Sequence, residues 1–593
     1  MLTAPGAPMM DIKLFVTRLH DPFADLFERW WDGDEWIWVD HGRPGGMAVT
    51  GVPGAPMMNE KTFVVVADGA LWELNWRNDL TLWVWESHGR PANFRIVAEP
   101  GAAMMNRKFF VTVEDGHLWE RDWRSDLGRW AWQDHGTPPG TAAMFAPGAA
   151  MQDTRLFVAG ANGRLFERFW DGAQWVWADR GAPPGTTVLS APAGMDDSRL
   201  FLCGGNGHLY EAARGERGVL SWTDHGQPPG TNALGTPAIR SSTSVWVRGG
   251  NSRLYELSGG DGWVWVDHGA PWNTSVATAP SAAMMDSKLF VGTADSHLWE
   301  RFWTGTEWKW VNHGSARQDK SQHVVGAPGR DPKLTIAVLG DGFAEEDLND
   351  YVKVVQDQVL AALSSDQLAD HQQALRVIRV DVVSMESGVE ERRYDEAGTT
   401  ITSDVFSFSR LGIIPNDRWK SCWFDGLSYT ESRIEKLRRR FAPDADHVIV
   451  MVNSKTWGGC NSGTVARFTR AGGWVVIAHE CGHNLFALDD EYVNDTMTFT
   501  GTSTRANTSE ALADWTALKW SGLVASGAPL PTDAASPPSG WNARTSVGAF
   551  EGAGGWFEHG LFRPVLECRM NQNDPPWCPV CARKINQDLA PFE

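Results

Sequence analysis

Tyrosine and cysteine are both scarce in this chain, with 6 and 7 among 593 residues. So few cysteines exclude a disulfide-framed scaffold. Six of them (Cys422, Cys460, Cys481, Cys568, Cys578, Cys581) fall in the C-terminal half, and only Cys203 precedes them. No apolar run reaches the roughly 18 residues that a membrane-spanning helix needs. Basic residues number 53 against 73 acidic ones, giving a formal charge of −20 and a pI near 5.3. That balance argues against nucleic acid or an anionic membrane as the main partner. The N-terminus, Met1-Leu2-Thr3-Ala4-Pro5-Gly6, has neither the basic nor the apolar stretch of an export leader. The apolar and charged fractions, 42% and 21%, are those of an ordinary globular protein.

What the chain does have is tryptophan, 33 in all. Most of it belongs to a repeat. His-Gly closes a unit at His41, His88, His135, His225, His268 and His313, with Arg180-Gly181 in its place once, and successive closures lie 43–47 residues apart. Each unit begins with a small-residue turn, often with a methionine pair (Met9-Met10, Met57-Met58, Met104-Met105, Met284-Met285). A short apolar strand follows, then Leu-aromatic-Glu, then Trp-x-Trp. Short strands with turn signals at this period predict four-stranded blades, and seven such units predict a seven-bladed β-propeller over residues 1–314.

The Glu recurs in all seven units (Glu28, Glu73, Glu120, Glu167, Glu211, Glu256, Glu300), and Trp-x-Trp in six. Large side chains at i and i+2 share one face of a strand, so these pairs read first as packing between blades. A third aromatic position is filled less uniformly: Trp31, Trp76, Trp123, Trp170 and Trp303, replaced by Arg214 and Gly259 in units five and six. These five are the candidate carbohydrate-binding residues, since an indole face stacks on the apolar side of a sugar. The recurrent His residues, one per unit at a strand end, read as turn residues rather than metal ligands. The Leu-Trp-Glu-Arg and Trp-x-Trp pattern resembles the seven-bladed propeller lectins of the fucose-binding and tectonin-like kind. That resemblance implies multivalent glycan binding, with weak single sites and useful avidity.

After Gly314 the pattern stops. Residues 315–332 read as a linker or the closing strand of the repeats, and a second domain spans 333–593. Its segments alternate: strand 334–339, helix 345–363, strand 377–383, helix 431–441 and strand 447–453, an α/β pattern.

The chemistry lies in His479-Glu480-Cys481-Gly482-His483, which follows an apolar run. On a helix, His479 and His483 share a face and can present two imidazoles to one Zn2+, while Glu480 is placed to take a proton from a water there. A third ligand is needed. Asp489 has the spacing of zincins that turn sharply after the second His, but Phe486 stands where those enzymes have Gly. A slightly longer helix favours Asp490 instead.

His479-Glu480-x-Gly482-His483 with Leu488-x-Asp490-Glu491-Tyr492 resembles the bacterial IgA-peptidase family of zinc metallopeptidases. So do Val338-Leu339-Gly340-Asp341-Gly342-Phe343, Ser384-Met385-Glu386-Ser387-Gly388, Glu551-Gly552-Ala553-Gly554 and Cys568-Arg569-Met570, in the same order. The resemblance implies a metzincin-like fold, Asp490 as third zinc ligand, Glu480 as general base and Met570 as an apolar floor under the site. Cys568, Cys578 and Cys581 admit a disulfide, or a structural zinc site with His559 as the local fourth candidate. Cys422–Cys460 is a second candidate disulfide. Arg563, His559 and Tyr492 are candidate oxyanion stabilisers.

Three functional expectations follow. The first is a secreted or extracellular endopeptidase that hydrolyses protein or glycoprotein substrates, with the propeller docking on cell-surface or matrix glycans. The second is a glycan-binding adhesin or toxin-like protein whose peptidase domain is inactive or acts on one partner. The third is a propeller that only scaffolds protein contacts.

Overall fold

A computed structural model describes the chain apart from residues 1, 7–12, 21–22, 34, 55–60, 103–107, 149–154, 195–197, 216–218, 260–261, 283–287, 318, 327–332, 406, 408, 418–423 and 426. The four methionine pairs and Cys422 therefore lie outside the described residues. The chain divides into two units, Met1–Gln318 and Asp319–Glu593. No described helix is long and apolar enough to cross a membrane.

Among the described residues, the first unit contains seven small antiparallel sheets met one after another along the chain, a propeller-like succession. Each is a meander, so every strand pairs with its sequence neighbour. The first sheet, Lys13–Gly42, has three strands, and residues 2–6 add bridges from Leu2 to Arg18 and from Gly6 to Phe15. Hydrophobic clusters lie between neighbouring sheets rather than within one. Phe63, Val65 and Leu71 of the second sheet pack with Phe109 and Val111 of the third. Leu14, Val16 and Phe27 of the first sheet pack with Phe290 and Leu298 of the last.

The repeated polar residues explain the joints. In six sheets the His of His-Gly sits opposite the Glu of the same sheet: Nε2–Oε2 separations run from 2.8 Å (Glu28–His41) to 3.0 Å (Glu256–His268). These histidines are buried or nearly so, and are not turn residues: the strand hairpin carries them inward onto the carboxylate. In three units the Arg after the Glu reaches back to the preceding His, as Arg121 Nε does at 3.3 Å from His88 Nδ1 and Arg168 Nε at 3.2 Å from His135 Nδ1. Since the guanidinium only donates, Nδ1 accepts and the proton sits on Nε2. The second Trp of Trp-x-Trp donates its indole N–H to the carbonyl of that same preceding His, at 2.9–3.1 Å in five sheets. The first Trp meets its ring edge-on at about 5 Å. Trp38 and Trp36 make these contacts to His313, joining the first sheet to the last.

The fourth sheet departs from the pattern. Arg180 replaces the His and pairs with Glu167 at 2.5 Å. Arg214, standing where other units carry the third aromatic, turns back to the same Glu167 at 2.6 Å, and Arg155 completes the group at 2.7 Å.

Acid should loosen this unit. Burial pushes the carboxyls of Glu28, Glu73, Glu211 and Glu256 up, but their His, Lys, Arg or Ser partners pull harder and leave them below the usual range. Burial, reinforced by Arg29 and Lys288, holds His313 below the usual imidazole value. Groups whose pKa is depressed on folding contribute stability above their unfolded pKa and lose it as pH falls through the folded one. The first unit's Tm is therefore expected to fall from about pH 6.5 downward, and more steeply below about pH 4.3. Calorimetry across that range checks it: a Tm flat to pH 4 contradicts the assignment.

The second unit is an α/β layer structure. Its strands are β1 (Lys320–Val325), β2 (Leu334–Asp341), β3 (Leu375–Asp381), β4 (His447–Val452), β5 (Gly459–Ser462) and β6 (Val465–Thr469). They order as β1-β3-β2-β4-β6-β5, with β1 and β5 antiparallel edges on a parallel core. β1 thus takes part of the stretch expected as linker or closing strand and pairs it with β3 of the second unit, while Ala316 packs in the first unit's core. On one face lie the helical run 345–363, α1 (Gly473–Phe486) and α2 (Pro579–Leu589). The helix Leu427–Phe441 covers the other.

Candidate metal centre

The helix α1 is apolar through Ile477, Ala478 and Cys481, all buried in the core beside the sheet, while Val476 packs at the edge of the cleft. Cys481 packs there with its thiol pushed up to about 12 by burial. The opposite face carries His479, Glu480 and His483 into a cleft of about 1030 Å3. The helix continues through Phe486 and stops at Ala487, which adopts a left-handed conformation (φ 50°, ψ 37°). The Leu488 N–H then bonds back to the Gly482 carbonyl at 2.9 Å. This turn comes one residue later than a sharp zincin turn, and it sends the two aspartates in different directions.

Asp490 Oδ1 lies 3.2 Å from His479 Nε2 and 3.1 Å from His483 Nε2. Asp489 instead accepts from Thr508 Oγ1 at 3.0 Å. Both imidazoles are held from behind: His479 Nδ1 by the Arg569 carbonyl and His483 Nδ1 by the Leu488 carbonyl, each at 2.7 Å. Carbonyls only accept, so each Nδ1 carries a proton, and Nε2 is the nitrogen each ring turns toward the common point. A tetrahedral Zn2+ with ligands at about 2.05 Å needs donor atoms about 3.3 Å apart, close to these separations. The charge fits as well. Burial alone lowers the proton affinity of His483, yet Asp490 and Glu480 raise its pKa to about 9, so the donor set calls for positive charge. The Asp490 carboxyl, pushed up by burial, is drawn far below its usual range by the two histidines.

The floor of the site comes from the short helix Arg569–Gln572. Met570 is fully buried, and a Cβ added at Gly482 would lie 2.5 Å from its sulfur and 2.8 Å from the Trp577 ring. Gly482→Ala is expected to cost about 1–3 kcal/mol by overpacking, against a helix-propensity gain of about 1 kcal/mol. A Tm equal to or above that of the parent would contradict the packing.

Of the candidate oxyanion groups, only Tyr492 lines the cleft. Burial and Asp490 hold its phenol protonated well above the usual value. Arg563 is engaged by the carbonyls of Glu551 and Gly552, and His559 is exposed beside Glu551 and Glu558. Sequence reasoning missed Arg569. Its guanidinium is buried between Trp474 and Trp577 and paired with Asp366, and this fixes the carbonyl that orients His479. The motif Cys568-Arg569-Met570 marks the residue but not this role, because Trp474 and Asp366 lie far from it in the chain.

The five candidate sugar residues are not brought together. Each stands opposite the first Trp of its own pair in the last hairpin of its sheet, as Trp123 opposite Trp130. Trp31, Trp123, Trp170 and Trp303 are 37–43% exposed, and Trp76 is half-buried with its N–H on Asn78.

Residues 325–537 match the family described as IgA Peptidase M64. No curated protein matches the chain. Two solved structures similar to it each cover 49% of its length: a structure of U3-55K (9% identity, 88% of that chain, TM-score 0.37) and the Myceliophteria thermophila Cps50 (Swd1) beta-propeller domain (8%, 94%, 0.38).

Proposed function

We propose, from the premise that residues 325–537 belong to an M64-type peptidase module, that the second unit is a zinc-dependent endopeptidase. The first unit, in this reading, is a seven-bladed propeller that holds glycans near it. The observation that carries the enzyme reading is one carboxylate oxygen, Asp490 Oδ1, close to two Nε2 atoms whose partner nitrogens are already committed to carbonyls. His479, His483 and Asp490 would hold the ion and leave a fourth position open. Zinc there supplies Lewis acidity and makes a water nucleophilic near neutral pH. Glu480, lining the same cleft, takes the proton from the attacking water and passes it to the leaving amine. Tyr492, kept protonated, is the donor suited to charge developing on the scissile carbonyl oxygen. The edge strand β5 contributes Gly459, Cys460 and Asn461 to the cleft wall, and an edge of this kind pairs with an extended peptide. Cys460 is disulfide-bonded, which supports a protein that works in an oxidising, extracellular setting.

The glycan reading is supported by the partly exposed indoles of Trp31, Trp123, Trp170 and Trp303, which recur at one position of the repeat. Single sites of this kind bind weakly and gain from being multiple. Two experiments test the whole. Chelation is expected to abolish cleavage of a denatured protein substrate, and added Zn2+ to restore it; cleavage that survives complete metal removal sinks the enzyme reading. The full chain on a glycan array is expected to bind, with loss on Trp123→Ala plus Trp170→Ala. Binding to no sugar removes the lectin role.

A further inference from the structure

Behind the catalytic cleft lies a second cluster. Cys568, Cys578, Cys581 and Glu491 are each no more than 1% exposed, and their ligand atoms all lie within 4.8 Å of one another. Cys568 Sγ and Cys581 Sγ are 3.8 Å apart, nearly twice a disulfide bond, and none of the three cysteines is bridged. Glu491, rather than His559, is the fourth member. Its Oε1 accepts from Asn507 Nδ2 at 2.9 Å and lies 3.3 Å from Cys581 Sγ, while its Oε2 is buried with no hydrogen-bond partner. An orphaned carboxylate oxygen among three thiols is costly unless something else binds it.

We propose that these four side chains form a structural zinc site, distinct from the catalytic one. A tetrahedral ion with Zn–S bonds of about 2.3 Å places its sulfurs about 3.8 Å apart, which is the separation observed. Three thiolates select a soft or borderline metal, and a tetrahedral set closed by one carboxylate suits Zn2+. The Cys578-x-x-Cys581 pair opens the 11-residue helix α2, and the Cys581 N–H points at Cys578 Sγ at 3.5 Å, as a thiolate ligand at a helix start requires. The site has a mechanical role. Asp490 and Glu491 are adjacent and serve different donor sets, and the Glu491 N–H bonds the Met570 carbonyl at 2.7 Å. The ion therefore ties the catalytic carboxylate, the floor segment 568–572 and the start of α2 to one point.

X-ray absorption at the zinc edge of the full-length protein tests this, because the catalytic donors hold only nitrogen and oxygen. The expected result is a sulfur shell near 2.3 Å. It should persist in His483→Ala, where the catalytic donor set is broken, and disappear in Cys581→Ser together with one equivalent of zinc. Cobalt substitution of the parent protein gives an independent reading, since thiolate-to-Co(II) charge transfer arises only at this cluster; it does not depend on whether Cys581→Ser folds. Zinc-loaded protein with no sulfur shell, or a Cys568–Cys581 disulfide in the peptide map of the native protein, would overturn the proposal. Both outcomes are separate from loss of peptidase activity, which tests the other site.

Discussion

Glu480→Gln is expected to lower kcat for peptide hydrolysis by about 10^3-fold, within the 10^2–10^4 range that general acid–base groups supply. The substitution keeps the shape of the side chain and removes only its capacity to take a proton. Because His479, His483 and Asp490 form the donor set, zinc content should stay at the parental level. KM should change little, since Glu480 acts on the attacking water rather than on the resting substrate. Asp490→Ala separates the roles, because it is expected to lose zinc and activity together. Steady-state kinetics on a quenched peptide library, with metal analysis on the same samples, reads both. Cleavage by Glu480→Gln within tenfold of the parent would refute the assigned role.

The second large effect lies in the first unit. Glu167→Ala removes a fully buried carboxylate shared by Arg155, Arg180 and Arg214, whose side chains are only 17–25% exposed. Breaking a buried ion pair from one side typically costs 3–5 kcal/mol, because the remaining charge is left without a partner. Here three cations remain, although their partial exposure lets water reach them and favours the lower end, about 3 kcal/mol. For a unit of this size that is a fall in Tm of about 5 °C. The double substitution Arg180→His with Arg214→Trp restores the arrangement of the other sheets and should cost less. If Glu167→Ala melts with the parent, the cluster contributes nothing to stability.

Much of the architecture was legible because it repeats or is locally periodic. Sheets recur with the His-Gly spacing, and the apolar run before His479 is part of a helix that turns His479, Glu480 and His483 into one cleft. The choice between Asp489 and Asp490 was not legible from the residues alone. It depends on where α1 ends, and the left-handed residue that ends it is Ala487, which carries no sequence signal. The histidines of the repeats were misread as turn residues because their partners lie 12–15 residues earlier on a neighbouring strand. Glu491 was missed beside the C-terminal cysteines for a similar reason, standing 77 residues before Cys568. Long-range pairs of this kind become visible only once strands and turns set the register.

The joints between sheets also say which repeats could change places. At five joints one repeat presents a socket, a His carbonyl, and the next a plug, the second Trp, joined in three of them by an Arg on the His ring nitrogen. A blade with both standard halves could follow any other such blade, so duplication or shuffling of whole repeats leaves those joints intact. The fourth and fifth repeats are the exception. Arg180 makes a nonstandard socket, and Arg214 is the plug cut to fit it, so these two must be inherited as a pair.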